Sequence, residues 1–386
     1  MRTPKRRLGK RLREPFAATS GNSFAAADDG PMYFDTMLDA IADARSSVDV
    51  EMYLWDDDHV GRRFVDALGA AASRGVRVRV LIDAVGSADV EGPLGAVDDA
   101  GGDIRVFNPL RFRFRFLRGY FHRTHKKLLI CDEAVAFTGG AGFSKWWSGG
   151  KRLEQEWHDR MFRVAGPVVR DLVKVFESDH GRWPARRELR EPRAPDPTVD
   201  LAPAGTAELR VLRGWPDGRD FRKTLVAQIH GARERVWIGT PYFVPPLSLV
   251  RALTGALQRG VHVELVLPSS NYAHPLMWHA SRRYYRWFMS RGARFHEYAP
   301  GFYHAKLAVI DGVAAIVGSS NLDSWSWNRN AEIDLIATDA DSVALVAGCF
   351  EADRARSRLV TRSDVGMRSL WARTTDRFAG WIEKWL

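Results

Sequence analysis

The chain has only two cysteines in 386 residues, so no disulfide framework can hold it together. Cys131 and Cys349 each sit in an apolar stretch and read as ordinary buried thiols. Long hydrophobic runs are also missing. No stretch reaches the ~18 uninterrupted apolar residues of a bilayer-spanning helix. The basic opening is followed by small and polar residues from Ala17 to Gly30 rather than an apolar core, which argues against a secretory signal. The expectation is therefore a soluble or peripheral protein. No compositional bias points to disorder, since 45% hydrophobic and 27% charged residues are ordinary for a globular chain. The length suits two or three domains with a large buried core.

What the chain does have is basic charge, unevenly placed. The net charge is +10, which suggests an anionic partner without saying whether it is nucleic acid, membrane or a small phosphate ester. Residues 1–14 hold seven basic side chains against one acid, and residues 103–127 hold eight against one. The rest of the chain is slightly acidic.

The chain repeats itself. Residues 65–83, VDALGAAASRGVRVRVLID, and 250–268, VRALTGALQRGVHVELVLP, share one pattern, with Gly75 and Gly260 at matching places. Each reads as a helix closed by glycine and followed by a strand. A further helix–strand pair precedes each copy: Phe34 to Ala44 then Val48–Trp55, and Phe221 to Ala232 then Val236–Ile238. Alternating strands and helices predict an α/β fold with parallel sheets. A Pro-rich, charged stretch at 186–205 separates the copies. We expect a basic arm (1–20), a first unit (21–185), a linker (186–205) and a second unit (206–386). Two such α/β units should pair across a pseudo-two-fold axis, with equivalent loops face to face.

Each copy carries the pattern H-x-K-x4-D: His125, Lys127 and Asp132 in HKKLLICD, and His304, Lys306 and Asp311 in HAKLAVID. From average residue usage, one chance copy has a probability of roughly one in forty, and two at equivalent places on the order of one in several thousand. On a strand, residues i and i+2 share a face, so His304 and Lys306 project together while Ala305, Leu307 and Val309 face the core. Asp311-Gly312 predicts a hairpin turn into Ala314–Val317. The returning strand ends in Gly318-Ser319-Ser320-Asn321, a loop suited to phosphate oxygens; its counterpart is Gly139-Gly140-Ala141-Gly142.

This constellation resembles the phospholipase D superfamily, whose two HKD motifs form one composite site. Within it the chain is similar to bacterial cardiolipin synthases lacking transmembrane helices, through Asp58 to Gly61, Trp157-His158-Asp159, Gly166-Pro167-Val168, Thr240 through Pro245 and Gly318 through Asp323. The resemblance implies covalent catalysis with no metal and no cofactor. One histidine attacks phosphorus to give a phosphatidyl-histidine, and the other protonates the leaving alcohol and later activates the acceptor. His125 is assigned as nucleophile and His304 as general acid/base. Lys127 and Lys306 would offset charge on the transition-state oxygens, and Gly140, Ser319 and Asn321 would bind phosphate. A carboxylate beyond each motif would orient its histidine, Asp159 for His125 and Glu332 for His304. Asp132 and Asp311 are framework residues. Gly140, Gly142 and Trp325 depart from the fuller family pattern of Ser (often Gly in synthases), Asn and Arg.

The implied substrates are phospholipids: a phosphatidyl group would pass from phosphatidylglycerol or phosphatidylethanolamine to phosphatidylglycerol. Two alternatives share the chemistry, a phospholipase D hydrolase giving phosphatidic acid and an HKD phosphodiesterase acting on nucleic acid. The implied partner is an anionic phospholipid membrane, with no nucleic acid expected and oligomeric state open. The expected location is cytoplasmic, peripheral on the inner face of the cell membrane. The strictly alternating Arg111, Phe112, Arg113, Phe114, Arg115 and Phe116 form either an amphipathic edge strand or a lipid-facing rim. The arm at 1–14 is either a solubilising tail or a polybasic tether. The stretch holding Trp371, Phe378, Trp381 and Trp385 is an interfacial or a packed terminal helix.

Overall fold

The computed structural model describes residues 14–27, 30–109, 122–148, 157–185, 202–214, 219–271 and 275–366. Residues 1–13 of the arm, the Arg111–Phe116 segment, residues 186–201 of the linker and the Trp371–Trp385 stretch lie outside the described residues.

The two units repeat the same strand sequence about a central seam. In the first unit the order from the edge inward is Asp103–Phe107, Arg77–Asp83, Ser47–Met52, Lys127–Cys131, Val135–Gly139, Met161–Ala165 and Thr19–Ala27. In the second it is Arg294–Tyr298, His262–Pro268, Arg235–Gly239, Leu307–Ile310, Ala314–Gly318, Ile333–Ala337 and Ala207–Arg213. Thr19–Ala27 and Ala207–Arg213 pair antiparallel at the seam, joining both halves into one 15-stranded sheet; Ser357–Leu359 adds an outer edge to the second half. At that seam Thr19 pairs with Leu209 and Asn22 with Ala207.

The expected parallel pairing covers only three strands per unit. The motif strand and the two that follow it are antiparallel; the first two are joined by a tight turn, which can return the chain only alongside itself. Asp311 and Gly312 have φ of 53° and 73°, and Asp132 and Glu133 have 53° and 54°, as a type I′ hairpin requires.

Three apolar layers pack on the sheet. Helices Gly30–Asp43 and His59–Ser73 cover the outer face of the first unit, and Asp220–Gly231, Leu247–Gln258 and Pro275–Met289 cover the equivalent face of the second. On the opposite face, Val168–His180 and Ala340–Ala355 share one core drawn from both units, including Leu128 and Ile130 beside Val309 and Val317. Each unit therefore completes its core with its neighbour.

Candidate active site

The two motif segments meet by crossing between units. Phe302–Tyr303 pairs in parallel with Trp157–His158 of the first unit, and the His304 amide donates to the His158 carbonyl at 2.7 Å. The mirror-image contact joins Thr124 to Ala331, with the His125 amide on the Ala331 carbonyl at 2.8 Å. Each histidine is thus clamped by backbone to the other unit, beside the residue that follows the clamp.

Those following residues are the two carboxylates, and their pairing corrects the expectation from sequence. His125 Nδ1 lies 3.0 Å from Glu332 Oε2, and His304 Nδ1 lies 2.5 Å from Asp159 Oδ2. The sequence-based match was Asp159 with His125 and Glu332 with His304. It fails because the clamp strands join opposite units, so each dyad takes one residue from each half. With Nδ1–H donated to a carboxylate, Nε2 of each ring keeps its lone pair.

Burial and charge tune these groups. Burial first, and then the Lys306 ammonium, push His304 down to about 3. His125 is also lowered, mainly by burial, with Glu332 opposing. Both rings are neutral at rest. Burial would raise both carboxylates, but Lys306 and His304 hold Asp159 low, and His125 and Lys127 do the same for Glu332. Burial and mutual repulsion bring Lys127 down to about 7; burial, opposed by Asp159 and Glu332, brings Lys306 to about 8. Lys127 Nζ donates to the His125 carbonyl at 2.7 Å, and Lys306 Nζ donates to the His304 carbonyl. Two ammonium groups concentrated in a buried site form an anion receptor.

The loops expected to hold phosphate do other work as well. Ser319 Oγ donates to Glu332 Oε2 at 2.6 Å, and Ser326 Oγ donates to Oε1 at 2.5 Å. The Ser319 hydroxyl is therefore directed at the orienting carboxylate. Gly140 occupies the matching place in the first unit, where a Cβ would lie 2.2 Å from Asp159 Oδ1. Its absence of a side chain is what lets Asp159 reach His304. The Asn321 side chain is buried, and its Oδ1 has no hydrogen-bond partner in the described structure. Asp132 and Asp311 lie away from the reacting groups. Each accepts three consecutive backbone amides, 45–47 and 233–235, where a helix turns into a strand.

Comparison with known proteins follows the same outline. The family model described as cardiolipin synthase, PLD-like domain matches residues 37–178 and 225–354. The chain belongs to this phospholipase D-like family. A probable cardiolipin synthase of Bacillus subtilis (strain 168) is 31% identical over 352 residues, 91% of this chain and 69% of that protein. Cardiolipin synthase A of Citrobacter koseri is 30% identical, over 95% of this chain and 76% of its own. In fold, the chain is similar to the crystal structure of phosphatidylserine synthase from Haemophilus influenzae Rd KW20, with a TM-score of 0.73 at 17% identity, covering 96% of this chain and 95% of that one.

Three parts of this cardiolipin synthase-family site escaped the motif reading. Ser326 was one; the serine-rich run after Asn321 was its only signal. The second is Asp353, on helix Ala340–Ala355. It receives His158 Nε2 at 2.7 Å, Arg160 Nη2 at 2.6 Å and the Tyr303 hydroxyl at 3.0 Å. It thereby ties the two residues flanking Asp159 to the residue preceding His304. The third is an aromatic wall. Trp157, Trp147 and Phe302 have ring centroids 4.8, 5.7 and 5.8 Å from His304, while Tyr53 lies 4.8 Å from His125.

Proposed function

We propose that this protein is a phosphatidyltransferase of cardiolipin synthase type, moving a phosphatidyl group from phosphatidylglycerol or phosphatidylethanolamine to the primary hydroxyl of phosphatidylglycerol. The observation that carries the reading is the meeting of two carboxylate-oriented imidazoles and two ammonium groups in one buried site. His125 Nε2 attacks phosphorus, forming an N–P bond as the bond to the leaving alcohol breaks. His304 gives that alcohol its proton. It is neutral in the free protein, and the negative phosphodiester counters the ammonium repulsion that keeps it so, which lets it hold a proton once substrate is bound. It then takes the proton from the incoming hydroxyl, whose oxygen displaces His125 from phosphorus. Lys127 and Lys306 offset charge on the remaining oxygens.

Enclosure favours transfer over hydrolysis. His125 and His304 are only 8% and 5% exposed, so bulk water has poor access to the intermediate. Among the described residues no helix is long and apolar enough to cross a membrane. We place the protein peripherally on the anionic inner face of the cell membrane, where its basic excess is attracted. Nucleic acid has no part in this reading.

The test is product analysis by mass spectrometry, using purified protein and liposomes with isotopically distinguished donor and acceptor. Cardiolipin carrying both labels is expected, with a loss of about 10⁴-fold or more in His125→Ala and His304→Ala. Phosphatidic acid as the only product would overturn the reading.

A further inference from the structure

The repeat places two equivalent segments towards opposite edges of the sheet, between the second and third parallel strands of each unit. In the first unit this is residues 84–102, which hold Asp89, Glu91, Asp98 and Asp99 and no Lys or Arg. In the second it is residues 269–293, which hold Arg282, Arg283, Arg286 and Arg291 and no acid. The first forms only the short helix Gly95–Asp99; the second forms the fifteen-residue helix Pro275–Met289. Pseudo-symmetry requires neither the opposite charge nor the added length. Both are specific to the second unit.

The helix sorts its residues sharply. Ala280, Ser281, Tyr285 and Phe288 are buried, and Arg282 is used internally, donating to Glu297 at 2.7 Å. Arg283, Arg286, Trp287, Ser290 and Arg291 form an exposed stripe at helical spacing. Trp287 is 49% exposed, with the Arg291 guanidinium 3.4 Å from its ring centroid, and the Arg283 guanidinium lies 4.7 Å from that of Tyr284. An exposed tryptophan among arginines, with no acid nearby in sequence, is the composition of an element lying in a bilayer interface.

Its position links it to the site. The helix follows the C-terminal end of strand His262–Pro268, which lies at the same end of the strands as His304 and Lys306. Its inner face supports the 240–245 loop: Ser281 Oγ accepts the Phe243 amide at 3.2 Å, and Phe243 packs on Tyr284 and Phe288. In the same loop, Tyr242 is 6.3 Å from Phe302, the wall residue beside His304.

We propose that the outer face of Pro275–Met289, with Arg291, is the surface that seats the protein on an anionic phospholipid bilayer, its arginines on lipid phosphates and Trp287 at the headgroup boundary. The proposal rests on the phosphatidyltransferase reading for its choice of lipid. The test is co-sedimentation of the full chain with phosphatidylcholine vesicles, with and without phosphatidylglycerol, alongside turnover of detergent-dispersed lipid. Arg283→Gln/Arg286→Gln/Arg291→Gln should bind phosphatidylglycerol-containing vesicles on the order of 100-fold more weakly at low salt, a difference that shrinks as salt rises. Trp287→Ala should weaken binding at low and high salt alike. Both variants should keep wild-type thermal stability and detergent turnover. Unchanged vesicle binding would overturn the proposal. So would persistent vesicle binding with loss of a wild-type dimer, which would assign the stripe to the acidic 84–102 segment of a second copy. Absence of transfer by the wild-type chain would instead defeat the enzymatic reading and leave the vesicle result to stand on its own.

Discussion

The two histidine–carboxylate dyads are equivalent by position, yet they are supported differently. Glu332 is held directly: both of its oxygens receive serine hydroxyls, and His125 takes its place beside Ser319. Asp159 is held from its flanks. It receives the Arg160 amide at 2.8 Å and has Lys306 Nζ at 3.6 Å, while Asp353 fixes the residues on either side of it. One dyad rests on hydroxyls, which can donate or accept; the other is surrounded by groups that only donate. Duplication preserved the geometry of the pair, and divergence replaced the scaffold around each copy.

That difference predicts unequal responses to the same chemical change. In Glu332→Gln, the new amide N–H₂ can donate to Ser326 Oγ once that hydroxyl turns, so His125 keeps an oxygen acceptor. In Asp159→Asn, the amide confronts the Arg160 N–H and the Lys306 ammonium, leaving donor against donor. We expect kcat/KM to fall about 10³-fold for Asp159→Asn and about 10²-fold for Glu332→Gln, with melting temperatures close to wild type. A larger loss in Glu332→Gln would break the distinction between the dyads.

The lysines sharpen the comparison through pH. With values of about 7 for Lys127 and about 8 for Lys306 in the free protein, the anion receptor loses charge as pH rises through that range. The kcat/KM profile, which reports the free enzyme, should therefore decline from about pH 7. Lys127→Arg, charged at every accessible pH, should move the alkaline limb towards 8; Lys306→Arg should leave it near 7. The linkage to stability has the opposite sign. Between a folded value near 7 or 8 and the ordinary 10.5, the unfolded chain binds more protons, so the contribution of these lysines to stability rises with pH while activity falls. A limb that stays put in both arginine variants would remove the lysines from the titration.

Much of this was legible in the sequence because it repeats there. The helix–strand copies, the two H-x-K-x4-D motifs and their hairpins depend on local patterning, which survives in a string of letters. The crossing of the carboxylates does not. It follows from Trp157–His158 pairing with Phe302–Tyr303, and no local pattern declares which unit a two-residue strand will join. Asp353 was hidden for the same reason, lying 194 residues from Asp159 on a helix that serves the shared core. The arginine helix does leave a trace in the sequence, since no acid occurs from Leu265 to His296.

The smallest expected effect tests whether the repeat is equivalent in energy where it is equivalent in form. Gly75 and Gly260 have φ of 88° and 85°, and a Cβ at either would meet nothing within 4 Å. Each closes its helix in the same way. The Val76 amide donates to the Ala71 carbonyl at 3.1 Å and the Val261 amide to the Ala256 carbonyl at 3.0 Å, the six-to-one bond of a left-handed terminator. With open space at both sites, alanine adds only the backbone strain of a positive φ, about 1 kcal/mol. Gly75→Ala and Gly260→Ala should therefore lower stability by the same amount in chemical denaturation. The two units share a core across the sheet, so both variants should shift a single cooperative transition. Unequal shifts, or a second transition in either variant, would show that the halves fold as separate cooperative units despite the seam that joins their strands.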